Sequence, residues 1–247
     1  MVMFFRKKAV LLIHGFVGGI YDFGNLQNEL QVSRKLDVFT FTLPGHEKHV
    51  VSGVKYQDWI NESKKQMEFL INSGYKEIYL VGHSMGGVIA AYLAQEYPQV
   101  KKLVLAAPAF RYFAFEDGKV NIKGFNETLK KLPSVFKDEG QSVMIERIRK
   151  TPIPTMVEFT NLVNKYQGCI KKVSCPVLTI HGLSDRVVPE VATNLVFDSV
   201  SSKTNILVNI KDVPHGCFVK KRGEEVKKVI SDFLIKRYPH KKEKIEM

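Results

Sequence analysis

The segment Gly82-His83-Ser84-Met85-Gly86 is where residue types and spacing in this 247-residue chain could do chemistry. A serine with a glycine two positions away on each side is the pattern of a nucleophile set on a tight strand-to-helix turn. Four strand-like residues, Ile78-Tyr79-Leu80-Val81, precede it, and Val88, Ala91, Tyr92 and Gln95 follow at helical spacing. Such a turn lifts the hydroxyl above the sheet edge, and the helix N-terminus favours developing negative charge. A plainer reading has the serine only cap a helix in a glycine-rich β–α turn. The nucleophilic reading demands more of the chain, because serine at its free pKa needs a base and the base needs an orienting acid.

Those partners belong at the ends of later strands. His215 stands in Asp212-Val213-Pro214-His215-Gly216, just past the apolar run Ile206–Ile210, and Asp185 stands just past Val177–Ile180. The order serine, aspartate, histidine suits a nucleophile elbow on an α/β sheet. Asp212, three residues before His215, is the rival acid, but so short a segment makes an Nδ1 contact awkward. An oxyanion needs two N–H donors. The N–H of Met85, the residue after the nucleophile, is one. The other is expected from His14-Gly15-Phe16-Val17-Gly18-Gly19, a loop that lacks the glycine spacing and the Gly-Lys-Ser/Thr ending of phosphate-binding turns. Five histidines lie near strand ends (His14, His46, His83, His181 and His215), yet none has a ligand-type spacing, so no metal is expected. His14 is read as fixing its own loop.

The elements that must hold these residues alternate along the chain. Apolar runs at 9–13, 37–42, 78–81, 103–107, 177–180 and 206–210 read as strands buried on both faces, as in a parallel sheet. Trp59, Ile60, Ser63, Met67, Leu70 and Ile71 mark a helix stopped by Gly74, and Val226, Val229, Ile230, Phe233 and Leu234 mark a last one. The expected fold is therefore α/β, a doubly wound, mostly parallel six-stranded sheet. The alternation breaks from about Phe110 to Lys172, where no strand is evident. Leu129, Leu132, Val135 and Phe136 suggest one helix there, and Met156, Phe159, Leu162, Val163 and Tyr166 another, with Thr155 and Glu158 as its capping box. So long a stretch reads as a helical insertion over one end of the sheet.

With these residues in place, the chain resembles the α/β-hydrolase superfamily, in particular carboxylesterase- and monoacylglycerol-lipase-like serine hydrolases. The resemblance runs from His14-Gly15-Phe16 to the last helix. It implies a core of residues 1–109 and 173–247, a helical cap at 110–172, a sheet that begins at the third strand of the usual eight, and a triad of Ser84, Asp185 and His215. It assigns the second oxyanion donor to Phe16, whose ring would border an acyl pocket, and it favours Asp185 over Asp212. His46, in Leu43-Pro44-Gly45-His46, is a loop histidine of the kind this family carries near its site. No cofactor is implied.

Composition narrows the partners. The net charge is +12, concentrated in the second half, but the lysines are interspersed with acids and not with aromatics, so a solvated surface is expected and no nucleic acid. No run of eighteen apolar residues occurs, which argues against integral membrane association, and the first residues lack the order of a secretory signal. With three cysteines read as reduced, the chain is expected to be cytoplasmic. The expected substrate is a small, acyl-chain-bearing ester: a short- to medium-chain carboxylic ester or a monoacylglycerol. Phe110, Tyr112, Phe113, Phe115, Met144, Ile145, Met156 and Phe159 supply apolar surface from the insertion that would suit an acyl chain, the plainer reading being that they pack the cap onto the core. The alternatives are another triad hydrolase (a lysophospholipase, a carbon–carbon bond hydrolase or a non-haem haloperoxidase) and a ligand-sensing receptor with little turnover.

Overall fold

The computed structural model describes residues 8–32, 36–48, 50–111, 115–116, 119–120, 146–218, 222–238 and 240–247, with 115–116 and 119–120 as backbone only. Seven strands form one sheet: β1 (Lys8–Ile13), β2 (Asp37–Thr40), β3 (Glu77–His83), β4 (Val100–Ala106), β7 (Val177–Gly182), β8 (Asn205–Ile210) and β9 (Lys242–Glu246). Their order is β2-β1-β3-β4-β7-β8-β9, and every neighbouring pair is parallel. The six apolar runs all lie in this sheet. Ala9, Leu11 and Ile13 of β1 join one core cluster, while Val10 and Leu12 join the other, so the strand is buried on both faces.

Helices cover the two faces. Helices α2 (Tyr56–Asn72), α3 (Met85–Glu96), α4 (Ile153–Tyr166) and α5 (Glu190–Ser199) pack on the first. Helices α1 (Leu26–Val32) and α6 (Gly223–Ile235) pack on the second through Leu26, Leu30, Val226, Ile230, Phe233 and Leu234. The Lys227 ammonium is buried between them and pairs with Glu29 of α1 at 3.2 Å. Lys102 of β4 donates to the carbonyls of Phe233, Leu234 and Lys236 at 2.7, 2.9 and 2.6 Å. It thereby satisfies the carbonyls that the end of α6 leaves open.

Three details differ from the sequence expectations. The seventh strand, β9, comes from a tail that reads as a solvated charge run. It is held by a backbone ladder to β8, with Ile245 opposite Val208, and Lys242 and Lys244 each lie 4.9 Å from the Phe197 ring centre. Within the insertion, β5 (Phe115–Glu116) and β6 (Lys119–Val120) form an antiparallel hairpin where no strand is expected; two-residue strands are too short to leave a period. The capping box of Thr155 and Glu158 is not formed. Pro152 is the N-cap of α4, Thr155 lies inside the helix, and the Glu158 carboxylate accepts the Tyr56 N–H at the start of α2 at 3.0 Å. The expected helix through Leu129, Leu132, Val135 and Phe136, and the side chains of Tyr112, Phe113, Phe115, Met144 and Ile145, lie outside the described residues. All three cysteines are free thiols. Among the described residues no helix is long and apolar enough to cross a membrane.

The chain leaves β1 towards β2 on one side and returns to β3 on the other. The carboxyl ends of β1 and β3 therefore flank the point where strand order reverses, which is where open parallel sheets hold their ligands.

Candidate active site

Ser84 sits on the turn between β3 and α3 with φ 53° and ψ −118°, a left-handed conformation that a non-glycine residue adopts only under constraint. Its N–H donates to the Ala106 carbonyl at 3.0 Å, and its carbonyl accepts the N–H groups of Gly87 at 3.0 Å and Ala109 at 3.1 Å. The turn closes because the next strand comes in so near. A Cβ at Gly86 would lie 2.0 Å from the Ile13 carbonyl oxygen, so only glycine lets α3 begin against β1.

His215 and Asp185 arrive from the adjacent strand ends. His215 Nε2 lies 3.1 Å from Ser84 Oγ, and His215 Nδ1 lies 2.8 Å from Asp185 Oδ2. Both the histidine and the aspartate side chain are buried. The second carboxylate oxygen, Oδ1, accepts the N–H groups of Val187 and Val188 at 2.8 and 2.9 Å. Burial alone would raise the Asp185 pKa, but the His215 ring and these hydrogen bonds outweigh it, and the carboxyl is held below its ordinary value. The two loops approach closely at Gly182, where a Cβ would lie 2.2 Å from the Val213 carbonyl oxygen. Asp212 occupies the turn after β8 with φ 58°, and it is Asp185, not Asp212, that meets His215 Nδ1.

Met85 follows the serine in the chain, and the loop that carries Phe16 approaches it through Gly15. Met85 is the first residue of α3, and Phe16 lies in the loop after β1, whose Gly15 packs so that an added Cβ would sit 3.0 Å from Ser84 Cβ. That loop is braced by two histidines in reciprocal fashion. His14 Nε2 accepts the Leu43 N–H at 3.0 Å, and His46 Nε2 accepts the Val17 N–H at 3.2 Å. Each ring offers Nδ1 to a carbonyl, His14 to Gly15 at 2.9 Å and His46 to Pro44 at 3.2 Å. Both rings must therefore be neutral, each with one donor and one acceptor nitrogen. Burial lowers both pKa values, that of His46 to about 4. The second loop is anchored in turn by Trp59, whose Nε1–H donates to the Pro44 carbonyl at 3.0 Å.

Two participants, Val17 and Asp22, carry no signal in the sequence, and a third, Phe159, is read there only as apolar surface. Val17 takes φ 55°, held by a histidine 29 positions away. Phe159 of α4 stacks on Phe16 at 4.8 Å with 8° between planes, which ties the insertion to the loop beside Ser84. Asp22 faces His83, the residue before the nucleophile, at 3.8 Å. The helical period marks Phe159 as apolar, but no motif announces its partner, and nothing local marks Asp22.

The geometry offers a hydroxyl, a ring nitrogen within hydrogen-bond reach of it, and a carboxylate on the ring's far side. That set suits nucleophilic acyl transfer.

The sequence profile of the family described as serine aminopeptidase, S33, matches residues 6–221. A thermostable monoacylglycerol lipase of Bacillus sp. (strain H-257) is 25% identical over 210 residues, covering 84% of this chain and 82% of that protein. A carboxylesterase of Bacillus subtilis (strain 168) is 23% identical over 234 residues, covering 93% of each chain. Among solved structures, one of the metagenome-derived lipolytic enzymes LipS and LipT superposes with a TM-score of 0.72 at 20% identity and covers 94% of both chains.

Proposed function

We propose, because the chain belongs to the serine aminopeptidase S33 family and has the α/β-hydrolase fold, that it is a serine esterase acting on short- to medium-chain carboxylic esters or monoacylglycerols. The observation that carries this reading is the hydrogen-bonded series Ser84–His215–Asp185 on a strained turn.

In this reading His215 Nε2 takes the Ser84 hydroxyl proton as Oγ attacks the ester carbonyl carbon. The N–H groups of Phe16 and Met85 hold the tetrahedral oxyanion. His215 then returns the proton to the leaving alkoxide, the carbon–oxygen bond breaks, and an acyl-enzyme remains on Oγ. Water repeats the sequence, giving up a proton to His215 and expelling Ser84 with release of the acid. Asp185 accepts the Nδ1–H of His215 throughout and keeps Nε2 facing the serine. We read residues 110–172 as a cap over the acyl side, entering it through the stacked Phe16 and Phe159. The names of the Bacillus relatives agree with an acyl ester. The family's peptidase description supplies a second substrate class, an aminoacyl amide, and the paired phenylalanine rings beside the loop favour the acyl chain over it.

The test is hydrolysis of aryl esters of increasing acyl length beside an aminoacyl arylamide, with Ser84→Ala as control. Ester turnover that Ser84→Ala abolishes is expected. Turnover of the arylamide alone would reverse the substrate assignment, and absence of fluorophosphonate labelling at Ser84 would remove the nucleophile.

A further inference from the structure

The reaction as written leaves one buried titratable group beside the nucleophile unused. His83 Nε2 lies 2.9 Å from the main-chain carbonyl of His215, so Nε2 carries a proton and donates it there. Nδ1 has no hydrogen-bond partner among the described residues, and it faces the Asp22 carboxylate at 3.8 Å. In a buried setting a bare lone pair turned towards a carboxylate is repelled, whereas an N–H in its place is attracted. Burial works against charge on this ring, but Asp22, the His215 carbonyl and Asp185 together outweigh it. The ring is accordingly held above the ordinary histidine range. Two further titratable rings stand near it: His14, from the end of β1, whose charge opposes that of His83, and His215 itself.

The pair touches both halves of the site. The His83 ring centre is 5.1 Å from that of His215, and the Phe218 edge closes on it at 5.7 Å. Asp22 belongs to the short helical turn Ile20–Phe23, and its N–H donates to the Gly19 carbonyl at 3.0 Å. It packs so tightly on the loop after β1 that a Cβ at Gly18 would fall 1.9 Å from its Oδ2. One carboxylate thus braces the loop bearing Phe16, and its imidazolium partner braces the backbone bearing His215.

We propose that His83 and Asp22 form a positioning pair, an imidazolium and a carboxylate that hold the His215 main chain and the Phe16 loop in register. The proposal rests on the esterase reading for its consequence, though not for its geometry. A raised pKa means that the pair is intact below it and lost as pH rises through it. Loss of the proton therefore loosens both loops at the alkaline end.

The rate of fluorophosphonate labelling at Ser84, timed across pH, reads this without knowledge of the ester. Wild type is expected to label more slowly on the alkaline side. Asp22→Asn removes the counter-charge, so the fall moves to lower pH and the plateau drops on the order of tenfold. His83→Gln keeps an N–H donor but cannot titrate, so the alkaline fall disappears. A wild type that labels while both variants keep its pH profile overturns the proposal, since a merely structural role moves the rate and not the profile. Ring-nitrogen NMR of the wild type decides the ion pair on its own, even if the variants do not fold or Ser84 does not label. Two protonated His83 nitrogens at neutral pH support it, and one overturns it. Failure to label, by contrast, counts against the nucleophile and not the pair.

Discussion

At the scale of single residues, Asp185 and Asp212 offer a clean comparison. Both lie within a few residues of a strand end, yet Asp185 accepts from His215 at 2.8 Å while Asp212 turns the chain at φ 58°. Asp185→Asn is expected to lower kcat for ester hydrolysis on the order of 10⁴-fold, because the ring loses the acceptor that fixes its tautomer. Asp212→Asn should leave the rate near wild type, since asparagine tolerates the same turn. Near-normal turnover in Asp185→Asn would remove the assignment. Ser84, Asp185 and His215 were each legible in the sequence for the same reason: an apolar run ends just before them, and such runs end at the edge where sites are built. The contacts of His46 with Val17 and of Asp22 with His83 were not, because they cross between loops whose path no local period describes.

At the scale of elements, apolar runs marked six strands well because burial on both faces leaves little room for polar residues. The junction of β3 and α3 depends on two backbones touching. Gly86→Ala would place a methyl group 2.0 Å from the Ile13 carbonyl oxygen. Its expected cost is about 1–3 kcal/mol of stability, together with loss of labelling at Ser84, read by urea unfolding and a fluorophosphonate. The end of α6 depends on a side chain from another element. Lys102→Met leaves three carbonyls without their donor, and a loss of about 1–2 kcal/mol is expected after allowance for its partial exposure. A lower urea midpoint at unchanged slope would show it. The capping box of α4 misled because Glu158 has a better use: it serves the first turn of α2, a partner 102 residues away that spacing cannot reveal.

At the scale of the whole molecule, the two bracing histidines give stability a definite response to acid. The unfolded chain protonates them below about 6.5, whereas folded His46 resists until about 4, and His14 is lowered as well. The stability these two rings contribute is therefore fully present above about pH 6.5, and His46 alone removes on the order of 3 kcal/mol as pH falls to 4. Asp185, lowered from 3.8, adds its loss only below that window, and the raised His83 acts above 6.5 in the opposite sense. Thermal melts between pH 8 and 4 should show the slope, and His46→Gln should flatten it; an unchanged slope would refute the argument. The doubly wound, mostly parallel architecture and six of its strands could be read from the sequence, but the order of the strands and the closing strand β9 could not. Its alternating Lys-Glu-Lys-Ile-Glu has no apolar period. That strand also covers one edge of the sheet. It shields the hydrogen-bonding groups of Asn205–Ile210 and shows a charged border in their place. A chain cut after residue 240, which loses the seven residues 241–247, is expected to expose an open apolar edge and to self-associate, as size-exclusion chromatography beside the intact chain would show.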